Sequence, residues 1–217
     1  MISGIPHTIA KQGWWIASRS SGVVALVLVT ISVLIGLTMA GKPIRKPGLN
    51  RKLLAVHEQT ALAGLVAICV HGLTLLADPW LKPGLTGVLV PFAMPLHTFW
   101  TGLGVIAGYL AMLLGLSFYL RKNIGAKLWR KAHRATVAVW ALGLIHALGS
   151  GTDTSSLWFR AFALVTFFPI ALLFVYRLGV ERRAEERKHL AARQRRRREL
   201  LGEREMLAEY EQPLTVR

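Results

Sequence analysis

Four histidines in two apolar segments are the residues of this 217-residue chain best suited to chemistry. His57 and His71 stand fourteen residues apart, and His133 and His146 stand thirteen apart. On a helix that rises about 1.5 Å per residue, each spacing separates two imidazole rings by about 20 Å. The hydrocarbon core of a bilayer is about 30 Å thick, so each segment would carry one histidine near either face. Two stacked bis-histidine haems need this arrangement.

The composition places these segments in a membrane. The chain is 53% hydrophobic, and its apolar residues occur in blocks of about 20, the length of a transmembrane helix. The net charge of +16 could indicate nucleic-acid binding, but the cations lie between and after the apolar blocks, as they do in membrane proteins. The basic run near the C-terminus has no interleaved aromatic residue except Tyr210, so no nucleic-acid partner is expected. The single cysteine, Cys69, excludes a disulfide framework within the chain and a cysteine-rich zinc site.

Five apolar segments predict an all-α integral membrane protein with about five transmembrane helices in a haem-binding bundle. The predicted spans are residues 14–40, 55–78, 98–120, 133–148 and 157–176. The predicted organisation is a short extracytoplasmic N-terminus at 1–13, a transmembrane haem domain at 14–176 and a charged cytoplasmic helix at 177–217. The loop at 79–97 contains the apolar run GVLVPFAM, which is too short to cross a bilayer.

The distribution of cations orients the predicted helices. Loops 41–52 and 121–134 carry five and six cations and no acid, so we expect them on the cytoplasmic side of the plasma membrane. Loops 79–97 and 149–156 share one cation, Lys82, and are expected outside. The N-terminus is then outside and the C-terminus inside.

The same orientation predicts which histidines pair. The second and fourth spans both leave a cytoplasmic loop and therefore run parallel. His57 and His133 are expected near the inner face, and His71 and His146 near the outer face.

A pair of histidines suits haem better than a bare metal ion. Zinc and copper sites use three or four ligands, often with cysteine or carboxylate, and the nearby acids are few: Glu58, Asp78 and Asp153. Haem iron needs only two axial ligands, and two imidazoles supply them. We therefore predict haem b, two per chain, with His57, His133, His71 and His146 as the ligands. Small residues in the two segments would let a flat macrocycle approach the backbone: Gly64, Ala67, Gly72, Gly143 and Ala147.

The spacing of thirteen fits an ideal helix poorly. At 100° per residue it leaves His146 about 140° away from the face that carries His133. The fourth helix is therefore expected to bend or unwind, with Gly143 as the expected place, or His146 approaches its haem from another side.

These residues resemble the ferric-reductase-like transmembrane domain, which ferric reductases and NADPH oxidases share. Besides the two paired histidines, the resemblance rests on residues 14–176 and on these motifs: WWIASRSSG, AVHEQTALAGL, LHTFWTGLGVIAGYL, LWRKAHRATVAVW and IHALGSGTDT. It implies electron transfer through two stacked bis-histidine haems, from a cytoplasmic donor to an acceptor on the outer side. It also implies that Arg19 lies near a propionate of the outer haem; the alternative is an interfacial arginine that snorkels outward.

The chain departs from that family in two ways. Many members have six spans, and ferric reductases and oxidases continue into flavin- and nicotinamide-binding domains, where this sequence has a charged tail with twelve Arg/Lys and eight Asp/Glu. The resemblance therefore implies the membrane electron-transfer component of an oxidoreductase, with a separate donor protein or a quinol as its source of electrons.

Other functions stay open at this stage. Within the same class, the chain could be a haem-binding anchor subunit of a partner reductase of the methionine sulfoxide reductase type. A proton or metal-ion transporter could use the histidines as a relay, although such proteins favour intramembrane carboxylates and inverted repeats. A structural scaffold would leave four depth-matched histidines unexplained.

Secondary predictions concern the tail and the remaining histidines. The tail is expected to bind anionic lipid or an acidic redox partner. His97 is interpreted as an interfacial hydrogen-bonding residue, or as a third ligand or acceptor-side group. His7 and His189 are interpreted as solvated residues.

Overall fold

The described part of the chain consists of helices joined by turns and short loops. The computed structural model describes residues 5–41 and 48–210, with side chains over 12–41 and 48–207. Within these ranges there is no strand, and the predicted all-α class is confirmed. The helices are α1 Ile5–Gly41, α2 Leu49–Leu76, α3 Gly84–Leu89, α4 Thr98–Leu116, α5 Arg121–Ile124, α6 Ala126–His133, α7 Thr136–Ser150 and α8 Leu157–Tyr210. Residues 1–4, 42–47 and 211–217, which belong to the predicted N-terminus, first cytoplasmic loop and tail, lie outside the described residues, as does the side chain of His7.

Several of these helices are long and apolar enough to cross a bilayer, as an integral membrane protein requires. By length and composition, four described helices qualify: α1 from Gln12 onward, α2, α4 and α8. Helix α7 has 15 residues and rises about 22 Å, which is less than the hydrocarbon thickness of about 30 Å.

The chain divides into two compact units, Met1–Leu173 and Phe174–Arg217. All four histidines of the two apolar segments belong to the first unit. The described side chains of the second unit are mostly exposed. Ion pairs one turn apart join Arg177 to Glu181 at 3.2 Å and Lys188 to Glu185 at 2.9 Å, as is common on a solvated charged helix.

Two helix pairs pack most closely in the first unit: α1 lies against α2, and α4 lies against α7. Small residues allow the close approach, as they do in membrane bundles. A Cβ atom on Gly64 of α2 would stand 3.2 Å from Val29 Cγ2 of α1. Helix α4 also contacts α2, where a Cβ atom on Gly115 of α4 would stand 2.8 Å from Leu65 Cδ1. Helices α2 and α7 are not among the closely packed pairs, so their side chains meet across a wider gap.

The first turns of α8 bury one stripe and expose the other. Phe159, Ala163, Thr166 and Ile170 are buried, and their spacing of three and four residues places them on one face. Large apolar side chains on the remaining faces are exposed: Leu164, Val165, Phe168 and Leu172. A helix with this pattern buries one face in a protein core and exposes apolar side chains on its other faces.

The expected irregularity in the fourth predicted span lies at its start. Helix α7 runs unbroken through Gly143, and a turn at residues 134–135 separates it from α6. There the N–H groups of Arg134, Ala135 and Val137 donate hydrogen bonds to the carbonyls three residues earlier. The Thr136 hydroxyl donates a hydrogen bond to the His133 carbonyl. A helix with about 3.0 rather than 3.6 residues per turn rotates by about 20° more per residue. Over three residues this reduces the angular offset of about 140° between His133 and His146 by about 60°. The expected unwinding at Gly143 is not found.

Candidate functional site

The structure brings the four histidines together as two pairs. The ring centroids of His57 and His133 are 6.1 Å apart, and those of His71 and His146 are 6.4 Å apart. His57 and His71 both lie on α2, whereas His133 ends α6 and His146 lies on α7. Residue numbers rise from the first pair to the second along α2 and along α7, so these two helices run parallel. Fourteen residues of α2 separate the pairs, or about 21 Å of helix.

The separation within each pair suits one metal atom between two imidazoles. An imidazole nitrogen binds a metal at about 2.0 Å, and the ring centroid lies about 1.2 Å beyond that nitrogen, so two rings on opposite sides of one atom have centroids about 6.4 Å apart. Among the described residues, no three His, Cys, Asp or Glu side chains converge to hold a metal ion. Each pair can therefore contribute two ligands to a group that brings its other ligands with it.

Hydrogen bonds fix the tautomer of three of the four rings. Nδ1 lies 2.9 Å from the Ser32 carbonyl in His57, 2.8 Å from the Ser18 carbonyl in His71, and 2.9 Å from the Trp100 carbonyl in His146. A carbonyl oxygen can only accept, so each Nδ1 carries the proton and donates it. The Nε2 atom of a neutral ring then keeps its lone pair. Histidines that bind metals almost always donate their other N–H in this way.

Each accepting carbonyl is followed four residues later by a glycine. A Cβ atom on Gly22 would stand 3.1 Å from His71 Nδ1, one on Gly36 would stand 3.2 Å from His57 Cε1, and one on Gly104 would stand 2.5 Å from His146 Nδ1. We call the carbonyl of residue i together with the glycine at i+4 a carbonyl–glycine clamp. The three clamps are Ser18/Gly22, Ser32/Gly36 and Trp100/Gly104.

Two of these clamps repeat along α1 in register with α2. Ser18 contacts His71, and Ser32, fourteen residues later on α1, contacts His57, fourteen residues earlier on α2. The two helices are therefore antiparallel, and both contacts have the same spacing. The two serine hydroxyls also reach the rings, at 3.3 Å from His71 Nδ1 and 3.0 Å from His57 Nδ1. Sequence reasoning missed these serines and glycines, although Ser-x-x-x-Gly occurs twice at the spacing of the α2 histidines.

His133 is positioned by stacking. The ring of Trp129, one turn earlier on α6, lies 4.8 Å from the His133 ring with an angle of 25° between their planes. Trp129 is held in turn, because its Nε1 donates to Ser117 Oγ at 3.2 Å. The sequence did not single out Trp129, but its position four residues before His133 is the spacing that places two side chains on one helix face.

Arg19 has an anionic partner within the chain. Its Nε donates to Asp153 Oδ2 at 2.6 Å, and its Nη2 contacts Asp153 Oδ1. The guanidinium also lies over the Trp15 ring, 5.2 Å from the centroid. Asp153 is buried, whereas 41% of the Arg19 side chain is exposed. Because Arg19 follows Ser18, this ion pair lies at the end of α1 that contacts His71.

The remaining predicted residues lie apart from the two pairs or leave space beside them. Gly143, one turn before His146, has no atom within 4 Å of the position that a Cβ would take. His97 is exposed at the start of α4, with φ of 49°, and His189 is exposed on α8. Neither belongs to a pair.

Comparison with known proteins finds no matching family model, no matching curated protein and no matching solved structure.

Proposed function

We propose that this protein carries electrons across a membrane through two stacked bis-histidine b-type haems. His57 and His133 hold one haem in this proposal, and His71 and His146 hold the other. One observation carries it: the structure holds two histidine pairs, with ring centroids 6.1 and 6.4 Å apart, and about 21 Å of α2 separates one pair from the other.

Haem fits this donor set better than a bare ion does. Haem brings four ring nitrogens, and its iron, with both axial positions filled by imidazole, exchanges one electron reversibly. The Nε2 atoms of the four histidines would bind the two haems, and the carbonyls of Ser18, Ser32 and Trp100 hold three of the rings in the tautomer that this requires. A bond from Nδ1–H to a carbonyl also raises the basicity of a ligating imidazole.

The proposed topology has five spans in the plasma membrane, with the N-terminus outside and the C-terminus in the cytoplasm. The four helices of sufficient length support four of the spans. Helix α7 is taken as the fifth because it runs between the two histidine pairs. The cation-rich loops 41–52 and 121–134 are assigned to the cytoplasm, so His57/His133 is the inner pair and His71/His146 is the outer pair.

We propose outward electron transfer by a member of the ferric-reductase-like family. An energised cell is negative inside, so an electron that moves outward gains about 2.3 kcal/mol per 100 mV crossed. The donor in this proposal is a separate protein or a quinol on the cytoplasmic side, and the acceptor lies outside. Arg19, at the outer end of α1, is proposed to place its exposed guanidinium edge near a propionate of the outer haem while Asp153 holds its other edge.

A visible spectrum of the detergent-purified protein tests the proposal. Dithionite-reduced minus oxidised spectra are expected to show sharp low-spin b-type bands, and a pyridine haemochrome assay is expected to give two haems per chain. A single haem would favour a haem-anchor subunit for a partner reductase. A protein that stays free of haem after expression with haem supplied overturns the proposal and favours a transporter that uses the histidines as a relay.

A further inference from the structure

Three of the four candidate ligands are held by one local device that recurs on two different helices. In each clamp the histidine Nδ1–H meets the carbonyl of residue i, at 2.8 to 2.9 Å, and residue i+4 is glycine. Two clamps lie on α1 and the third lies on α4. Because the clamp occurs on two different helices, its cause must be a property of helix geometry in general.

The geometry of a helix explains why the glycine stands at i+4. Each Cα–Cβ bond tilts toward the helix N-terminus, so the side chain at i+4 covers the turn that contains the carbonyl of residue i. That carbonyl already accepts the N–H of residue i+4 and has one lone pair left. Glycine uncovers this lone pair, and an imidazole from a neighbouring helix can then reach it.

We propose that the three carbonyl–glycine clamps are positioning devices that fix the ring plane and tautomer of the ligating histidines and set the potential of each haem separately. This inference rests on the proposed function. Ser32/Gly36 acts on the inner haem through His57. Ser18/Gly22 and Trp100/Gly104 act on the outer haem through His71 and His146.

The serine hydroxyls give the direction of the effect. Each lies within 3.3 Å of an Nδ1 atom that also bonds to the backbone, so it acts as a second acceptor for the same proton. An imidazole whose Nδ1–H makes stronger hydrogen bonds is a more basic ligand. A more basic ligand stabilises the oxidised iron relative to the reduced iron. Removing the hydroxyl therefore raises the reduction potential of the haem concerned and leaves the backbone carbonyl in place.

The serine variants provide the decisive test. In redox titrations of the purified protein, Ser32→Ala is expected to raise the ratio of reduced to oxidised inner haem about threefold at a fixed potential. For one electron this corresponds to a rise of about 30 mV in the reduction potential, and the potential of the outer haem should not change. Ser18→Ala is expected to shift the outer haem alone by a similar amount. The haem whose titration disappears in His57→Ala identifies the inner potential.

The glycine variants provide a graded second test. A new Cβ would lie 3.1 to 3.2 Å from the ring in Gly22→Ala and Gly36→Ala, but 2.5 Å from it in Gly104→Ala. We expect the first two to keep both haems with an altered low-spin electron paramagnetic resonance signal at one haem, and Gly104→Ala to lose or weaken the outer haem. Gly13→Ala on α1 is the matched control, because its Cβ would meet no atom within 4 Å.

The outcomes separate this inference from the function beneath it. Two haems in the wild-type protein, with serine variants whose potentials stay unchanged or move together, overturn the clamps as separate tuning devices while electron transfer stands. A wild-type protein without haem overturns both. If a glycine variant fails to fold, the serine variants decide the question, since they add no atoms.

Discussion

Trp140 Nε1 donates a hydrogen bond to Thr30 Oγ1 at 2.9 Å, and both side chains are buried. Trp140 stands between His133 and His146 on α7, and Thr30 stands between Ser18 and Ser32 on α1. The Thr30 hydroxyl in turn donates a hydrogen bond to the Leu26 carbonyl at 2.7 Å. This bond therefore joins the helix that carries two of the clamps to a helix that carries a candidate ligand, between the two pairs.

We expect Trp140→Phe to destabilise the protein by about 1 kcal/mol, because it leaves the Thr30 oxygen without its donor in a buried setting. Thermal unfolding in detergent measures the change. Trp158→Phe is the matched control, since Trp158 is 49% exposed. Equal losses of stability in the two variants would contradict a specific role for the Trp140–Thr30 bond.

The histidine pairs predict four single-site losses. His71→Ala and His146→Ala are expected to remove the outer haem only, and His57→Ala and His133→Ala the inner haem only, because each leaves one iron with a single axial ligand. The pyridine haemochrome assay should fall from two haems per chain to one. His97→Ala and His189→Ala are exposed-histidine controls that should keep two haems. Unchanged haem content in all four test variants would refute the ligand assignment.

The Arg19–Asp153 ion pair predicts non-additive stability. Either Arg19→Gln or Asp153→Asn leaves one partner of a bidentate pair without its counter-charge, and the double variant removes both charges. Residues in direct contact show coupling of about 0.5 to 3 kcal/mol, and thermal unfolding of the four proteins measures it. Purely additive effects would show that the contact contributes nothing.

The same variants separate two roles of Arg19. If Arg19 also binds an outer haem propionate, the outer potential should stay shifted in the double variant even where stability recovers. If Arg19 serves Asp153 alone, the potential of the double variant should return to that of the wild type. Redox titration of the outer haem distinguishes these results.

The C-terminal part of the second unit, residues 188–217, is expected to be dispensable for haem binding. Among the described residues of this segment, all but Gly202 are exposed, so deleting residues 188–217 should leave haem content at two per chain. Vesicles of zwitterionic and anionic lipid then test the tail by itself: a fluorescently labelled peptide of residues 177–207 should bind the anionic vesicles and release with added salt. A deletion that abolishes haem binding would show that the tail supports the bundle.

The sequence was informative wherever one segment determines the outcome. Long apolar runs must satisfy their backbone hydrogen bonds as helices in a bilayer, so the all-α class and the long apolar helices could be predicted from hydropathy. The parallel course of α2 and α7 followed from the charge of the loops, and the structure has that course. The spacing of thirteen revealed that the last histidine helix could not be regular. It could not place the irregularity, because the bonding that tightens the turn at residues 134–135 involves the Thr136 hydroxyl rather than glycine.

Contacts between helices were decided only by the tertiary structure. Which carbonyl accepts the Nδ1–H of His71 depends on the register of α1 against α2, and no periodicity within α2 contains that information. The same holds for Arg19, whose carboxylate partner Asp153 stands 134 positions away, and for Trp100, which a loop and a separate helix bring to His146. The sequence by itself predicted that four histidines would form two pairs, His57 with His133 and His71 with His146. The packing of α1 and α4 determined how those rings are turned, because a hydrogen bond between two helices depends on their rotation and their shift, and these are set by every side chain along the interface.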